Sequence, residues 1–106
     1  MVHHLCFLQL RADITSEELE SIMVETRIRL LKLPEVSNLR VGKRIDVRGN
    51  PFHYFYSFDA ESTDKIRFIH DSAIYTQFEK QILGPHVAKT QIYEYEMEPG
   101  KDVQYS

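Results

Sequence analysis

The chain has one cysteine, Cys6, among 106 residues. That excludes an intramolecular disulfide and any cluster of thiolate metal ligands. No apolar run approaches the roughly 20 residues a membrane-spanning helix needs. No basic segment and apolar stretch lead to a small-residue cleavage site, so the sequence shows no secretory signal. Excess positive charge is also missing. The net charge is −3, which gives no electrostatic reason to bind nucleic acid. There is no internal linker, low-complexity tract or repeat at solenoid periods. These absences lead us to expect a cytoplasmic protein with no membrane or nucleic-acid partner and no cofactor.

What is present is ordinary globular material, 42% hydrophobic and 27% charged, in a length that suits one domain. Arg40, Lys43, Arg44 and Arg48 form a basic run between apolar residues, which reads as the solvated face of a strand. The most informative segment is Val2 to Leu10. Strand alternation puts Val2, His4, Cys6, Leu8 and Leu10 on one face and His3, Leu5, Phe7 and Gln9 on the other. Both faces are apolar. A chain this short covers one sheet face with its own helices, so the other needs a second copy. The sequence therefore predicts a homodimer of α+β domains.

The remaining elements follow from local signals. Thr15 and Glu18 form a capping box, and Glu17, Glu18 and Glu20 favour the positive end of a helix dipole. Leu19, Ile22, Met23, Thr26, Leu30 and Leu33 make one apolar stripe, ended by Pro34. Val36 to Val47 reads as a second strand, with Leu39, Val41, Ile45 and Val47 on one face. Gly42 in its middle suggests a bulge or a close backbone approach. Arg48 to Pro51 is a turn. Phe52 to Phe58 is a third strand, bulky on both faces. A second helical region follows Ser62, breaks near Asp71 and Ser72, resumes through Tyr75, Phe78, Ile82 and Leu83, and stops at Gly84-Pro85. Ala88 to Met97 is the last strand. The order strand, helix, strand, strand, helix, strand is the ferredoxin-like βαββαβ pattern with an antiparallel sheet. We place the domain at residues 2–97 and a polar C-terminal tail at 98–106.

Few residues announce chemistry. His3 and His4 are not a metal pair, because neighbours on a strand point to opposite faces. His53 and His86 belong to no motif, and no histidine or carboxylate grouping has a recognisable ligand spacing. Phe52, Tyr54, Phe55, Tyr56, Phe58, Tyr93 and Tyr95 could build an aromatic pocket or a core and interface; in a dimer the tyrosine hydroxyls would bond across the interface. Cys6, on an apolar strand, reads as inert packing.

The opening His3-His4-Leu5-Cys6-Phe7 resembles the H-I-V-L-F start of the stress-responsive dimeric α/β-barrel (Dabb) family. Thr15-Ser16-Glu17-Glu18 resembles its S-E-E-E helix start. Leu31 to Gly42 is close to its L-x-x-L-P-G-V-x-x-L-x-V-G block. Ile69-His70 and Tyr75 to Phe78 resemble its H-P-x-H-x-x-F segment, with two extra residues between. The resemblance covers about residues 2 to 97.

It implies a dimer in which two sheets close into a barrel. By analogy Val2, His4, Cys6, Leu8 and Leu10 would line the subunit interface. The opposite face, with His3 and Phe7, would line a cavity between sheet and helices. In the family's polyketide cyclases a histidine and a tyrosine of the second helical region do acid–base work. Those positions fall here on Tyr75 and Arg67, and a tyrosine of ordinary pKa near 10 is a poor base at neutral pH. His3 matches the family's strand-one histidine and His70 its first loop histidine. The resemblance thus offers His3, Phe7, Arg67, His70 and Tyr75 as pocket residues. It also implies a magnesium ion on the backbone carbonyls of Leu30, Leu33 and Val36.

Two functions of different class follow. One is a stress-responsive A/B barrel domain protein of unassigned activity, a homodimer with a small apolar ligand pocket. The other is a small cofactor-free enzyme, either a polyketide cyclase-like lyase or a monooxygenase of the antibiotic-biosynthesis type. The enzyme reading requires His3, Arg67, His70 and Tyr75 to converge on one cavity. A pure interaction module would instead have a filled cavity and an apolar patch elsewhere.

Overall fold

The computed structural model describes residues 1–98, 100 and 101. Four strands, β1 (Val2–Leu10), β2 (Ser37–Lys43), β3 (Tyr54–Ala60) and β4 (Val87–Glu96), form one sheet in the order β2-β3-β1-β4. Every pairing is antiparallel. Three helices, α1 (Ser16–Leu30), α2 (Thr63–Asp71) and α3 (Ala73–Phe78), and a π-helical turn at Glu79–Leu83 complete the domain. This is the ferredoxin-like α+β fold. The tail expected at 98–106 lies largely outside the described residues.

Helix α1 starts where the capping box places it. The Glu18 N–H donates to Thr15 Oγ1 at 3.1 Å, and the Thr15 N–H donates to Glu18 Oε1 at 3.2 Å. Its buried residues are Ile22, Met23, Thr26 and Leu30. Leu33 is buried too, but beyond the helix end. The break in the second helical region falls at Ser72. The Ser72 hydroxyl donates to the Ile69 carbonyl at 2.6 Å and accepts the Tyr75 N–H at 3.2 Å. One side chain thereby ends α2 and caps α3.

The second strand is shorter than the alternation suggests. It stops at Lys43, and Ile45 and Val47 stand exposed in the following loop. The loop closes on itself: Asp46 accepts the Arg48 N–H at 2.9 Å, and Asn50 accepts the Phe52 N–H at 3.0 Å. Strand β3 accordingly begins at Tyr54, two residues later than expected. The register shift in β2 lies between Ser37 and Arg40, where Asn38 has φ 51°. Gly42 marks a close approach instead: a Cβ there would lie 2.9 Å from Cε1 of Phe55.

Register decides which face meets the helices. Leu8, Cys6, His4 and Val2 sit opposite Tyr54, Tyr56, Phe58 and Ala60 of β3. This set packs beneath the helices: Tyr54 reaches Thr26 of α1 at 3.2 Å, and the Tyr56 ring meets Phe78 of α3 at 5.9 Å. His4, Cys6, Leu8 and Leu10 are buried inside the protomer, and Val2 is half-buried. The assignment of these five residues to a subunit interface is therefore corrected. The uncovered face carries His3, Leu5, Phe7 and Gln9, all half-buried. Beside them lie Phe55, Ser57 and Asp59 of β3 and Tyr93 and Tyr95 of β4.

Candidate functional site

Between the sheet and the second helical region lies a cleft of about 260 Å³. Its floor is Cys6 of β1, Tyr56 of β3 and Thr90 and Ile92 of β4. Its roof is His70 at the end of α2, Tyr75 of α3, and Glu79 and Leu83 of the π-helical turn. The local sequence explains the roof. Ser72 turns the chain between His70 and Tyr75 and sets their rings 5.0 Å apart. Strand β4 runs along the sheet edge, so its helix-facing Ile92 remains 45% exposed and the cleft stays open there.

The chemistry of the cleft centres on two phenols. Tyr56 Oη and Tyr75 Oη are 2.5 Å apart and buried. Burial is the main cause that pushes both hydroxyls above their usual range, so both are neutral phenols near pH 7. Two O–H groups share one hydrogen bond. The Cys6 thiol, a side-chain hydrogen-bond partner of Tyr56, is the acceptor left for the second proton. Cys6 lies against Tyr56, and burial pushes its thiol up to about 11. It is a neutral, weak acceptor rather than a nucleophile.

His4 continues the cleft's sheet face one step beyond Cys6. Its ring stacks on Phe58 at 4.8 Å and lies 6.4 Å from that of Tyr56. Nδ1 is 2.9 Å from Glu94 Oε2 of β4. Burial lowers the His4 pKa and outweighs the opposing hydrogen bond and charge of Glu94; a positive His70 would lower it further.

Of the expected pocket residues, His70 and Tyr75 meet in this cleft. The other three do not. His3 and Phe7 point to the uncovered sheet face, where His3 Nδ1 pairs with Asp59 at 2.7 Å and Phe7 stacks on Phe55 at 5.9 Å. Arg67 is exposed on α2, 3.8 Å from Asp64. The convergence that the enzyme reading required of His3, Arg67, His70 and Tyr75 does not occur. Tyr54 and Tyr56 also find their partners within the protomer rather than across an interface. Sequence reasoning missed His4, Tyr56 and Glu94 as a group. With two histidines in succession, the choice of inward ring depends on which face the helices cover.

The helix end implied as a magnesium site closes on its own backbone. The Leu30 carbonyl accepts the Leu33 N–H and the Leu33 carbonyl accepts the Val36 N–H, each at 3.1 Å. Among the described residues, no group of three His, Cys, Asp or Glu side chains could hold a metal ion. No helix there is long and apolar enough to cross a membrane.

The fold has many solved counterparts. A Dabb family protein with a ferredoxin-like fold from Mesorhizobium loti superposes with a TM-score of 0.80 at 16% identity, over 92% of this chain and 96% of the other. A hydroxynitrile lyase from Passiflora edulis gives 0.79 at 16% identity, covering 95% and 96%. A dimeric ferredoxin-like protein of unknown function from Thermobifida fusca gives 0.79 at 14% identity, covering 91% and 90%. No family model and no curated protein matches the chain. At these identities the likeness supports the Dabb resemblance at the level of the fold. No specific activity follows, since the counterparts differ in what they do.

Proposed function

We propose that the chain is a Dabb-type protein of the cytoplasm that forms a homodimer and binds a small, largely apolar molecule in the sheet–helix cleft. The dimer reading rests on the uncovered sheet face. Leu5, Phe7, Phe55 and Tyr93 make an apolar surface there that the protomer's helices never reach. Dimeric counterparts of the same fold support it.

The ligand reading is carried by one observation, the Tyr56–Tyr75 pair. It holds one phenolic proton without a strong acceptor, in a cleft walled by Leu83, Val87 and Ile92. A thiol is a weak acceptor for a buried hydroxyl. A ligand oxygen that takes this proton makes the stronger hydrogen bond, so the site favours a carbonyl or ether oxygen on an apolar body. Acetophenone and cumene test this, because they match in shape and differ in the carbonyl. Acetophenone is expected to shift the NMR signals of Tyr75, Val87 and Ile92, and to lose its advantage over cumene in Tyr75→Phe. Equal binding of the two by the native protein would refute the reading.

A second reading, a cofactor-free enzyme of the lyase or monooxygenase kind, would have to use His70 and Glu79 beside the phenols in place of the four residues that do not converge. Its residues differ from those the family cyclases use, because Arg67 lies outside the cleft.

A further inference from the structure

One charged side chain in the cleft is not used by the phenol pair. Glu79 opens the π-helical turn and lines the cleft roof. Tyr75, Glu79 and Leu83 follow one another at a spacing of four, and all three face the cleft. The turn holds this register. The Gly84 N–H donates to the Glu79 carbonyl at 2.7 Å, the i to i+5 bond of a π-helical turn. Such turns are frequent at functional sites. Lys80 and Gln81 of the same turn are exposed, whereas Glu79 is half-buried against the cleft. A glutamate there gives up part of its hydration, which the exposed side of the turn would not ask of it.

The carboxylate has no counterion within the domain. No lysine or arginine lines the cleft. His70 is the one lining side chain able to carry positive charge, and its ring stands against Tyr75. Among the described residues no ion pair includes Glu79. Its field still reaches inward. Burial is the main cause that keeps the Cys6 thiol and the Tyr75 hydroxyl protonated, and the Glu79 charge adds to it at both. The cleft therefore disfavours anions and attracts cations. Its aromatic rings act in the same sense, because a ring face is negative. We propose that the cleft takes a small protonated amine, whose ammonium donates to Glu79 beside the Tyr75 ring while an oxygen of the same molecule accepts from the phenol pair. This deepens the ligand reading and rests on it. The ligand class is an amine on an apolar body that also carries an ether or carbonyl oxygen. A neutral molecule of the same shape leaves the carboxylate to water, so Glu79 determines specificity.

The probes are 4-methoxybenzylamine and 4-ethylanisole, which share the methoxyphenyl body and differ in an ammonium against a methyl group. In NMR titrations of the native protein at pH 7.5, both should shift the signals of Tyr75 and Ile92. The amine should bind about tenfold more tightly, and its benzylic protons should show nuclear Overhauser contacts to the Glu79 side chain. In Glu79→Gln the preference for the amine should vanish while both probes still shift Tyr75 and Ile92. That substitution keeps the size of the side chain and breaks no ion pair of the domain. Equal affinity of the native protein for the two probes, benzylic protons without contact to Glu79, or a preference that survives in Glu79→Gln would each overturn the assignment and leave the cleft reading standing. The two native-protein measurements decide it even where the variant fails to fold. If neither probe shifts Tyr75 or Ile92, the cleft reading falls and this inference falls with it.

Discussion

The two faces of β1 can be told apart by one pair of substitutions, Leu8→Ala and Leu5→Asp. Leu8 is fully buried, opposite Tyr54 and under the helices. Removing three side-chain carbons there loses transfer free energy and leaves a cavity, a cost of about 3 kcal/mol. That lowers the ratio of folded to unfolded protein about 150-fold. The loss belongs to the protomer core. It should therefore appear in urea unfolding followed by circular dichroism as a lower midpoint, of similar size when the protein is diluted tenfold. Leu5 is only half-buried, opposite Ser57 on β3 and Tyr93 on β4. An aspartate there remains hydrated in an isolated protomer and costs it under about 1 kcal/mol. In an association face the same carboxylate is desolvated without a partner. Leu5→Asp should thus give a folded monomer by light scattering, with the native far-ultraviolet spectrum. A Leu8→Ala effect that disappears on dilution, together with an intact Leu5→Asp dimer, would refute the face assignment.

The remaining expectations concern single sites. His4 has a folded-state pKa below its ordinary value near 6.5, so its contribution is fully present above that pH. It is lost as the pH falls from there through the folded pKa, because protonation favours the unfolded chain. His53 is shifted the same way, chiefly by burial. Urea midpoints from pH 7.5 to 5 should fall for the native protein and fall less for His4→Phe; identical slopes would refute this. Cys6, with its thiol pushed up to about 11, should react with iodoacetamide at pH 7.5 far more slowly than after addition of denaturant, by mass spectrometry. Equal rates would contradict its burial. Thr15→Ala deletes the capping box of α1 and should cost about 1 kcal/mol in urea unfolding; no change would show that the cap contributes nothing. Gly42→Ala should keep the fold at a cost of about 1 kcal/mol, because the atom it meets belongs to the half-buried Phe55 ring. Failure to fold would mean the ring cannot yield.

The sequence by itself determined the element order, the capping box at Thr15 and Glu18, the break at Ser72, and hence the ferredoxin-like sheet. These are local matters: each signal involves residues within a turn or two of one another. Strand ends were less legible. Ile45 and Val47 keep the alternation, but a strand persists only while a neighbour pairs with it, and β3 starts at Tyr54. The side of the sheet that the helices cover was decided only by the tertiary structure. Both faces of β1 are apolar, and local spacing has no term for which one meets α1 and α3. The more polar composition of the uncovered side, with Gln9, Ser57 and Asp59, was the one available hint. The candidate site followed that decision. Packing turned His4 inward rather than His3 and joined Tyr56 to Tyr75 across 19 positions. It also brought Glu94 to a ring 90 positions away, and contacts at such separations exist only once the chain has closed on itself.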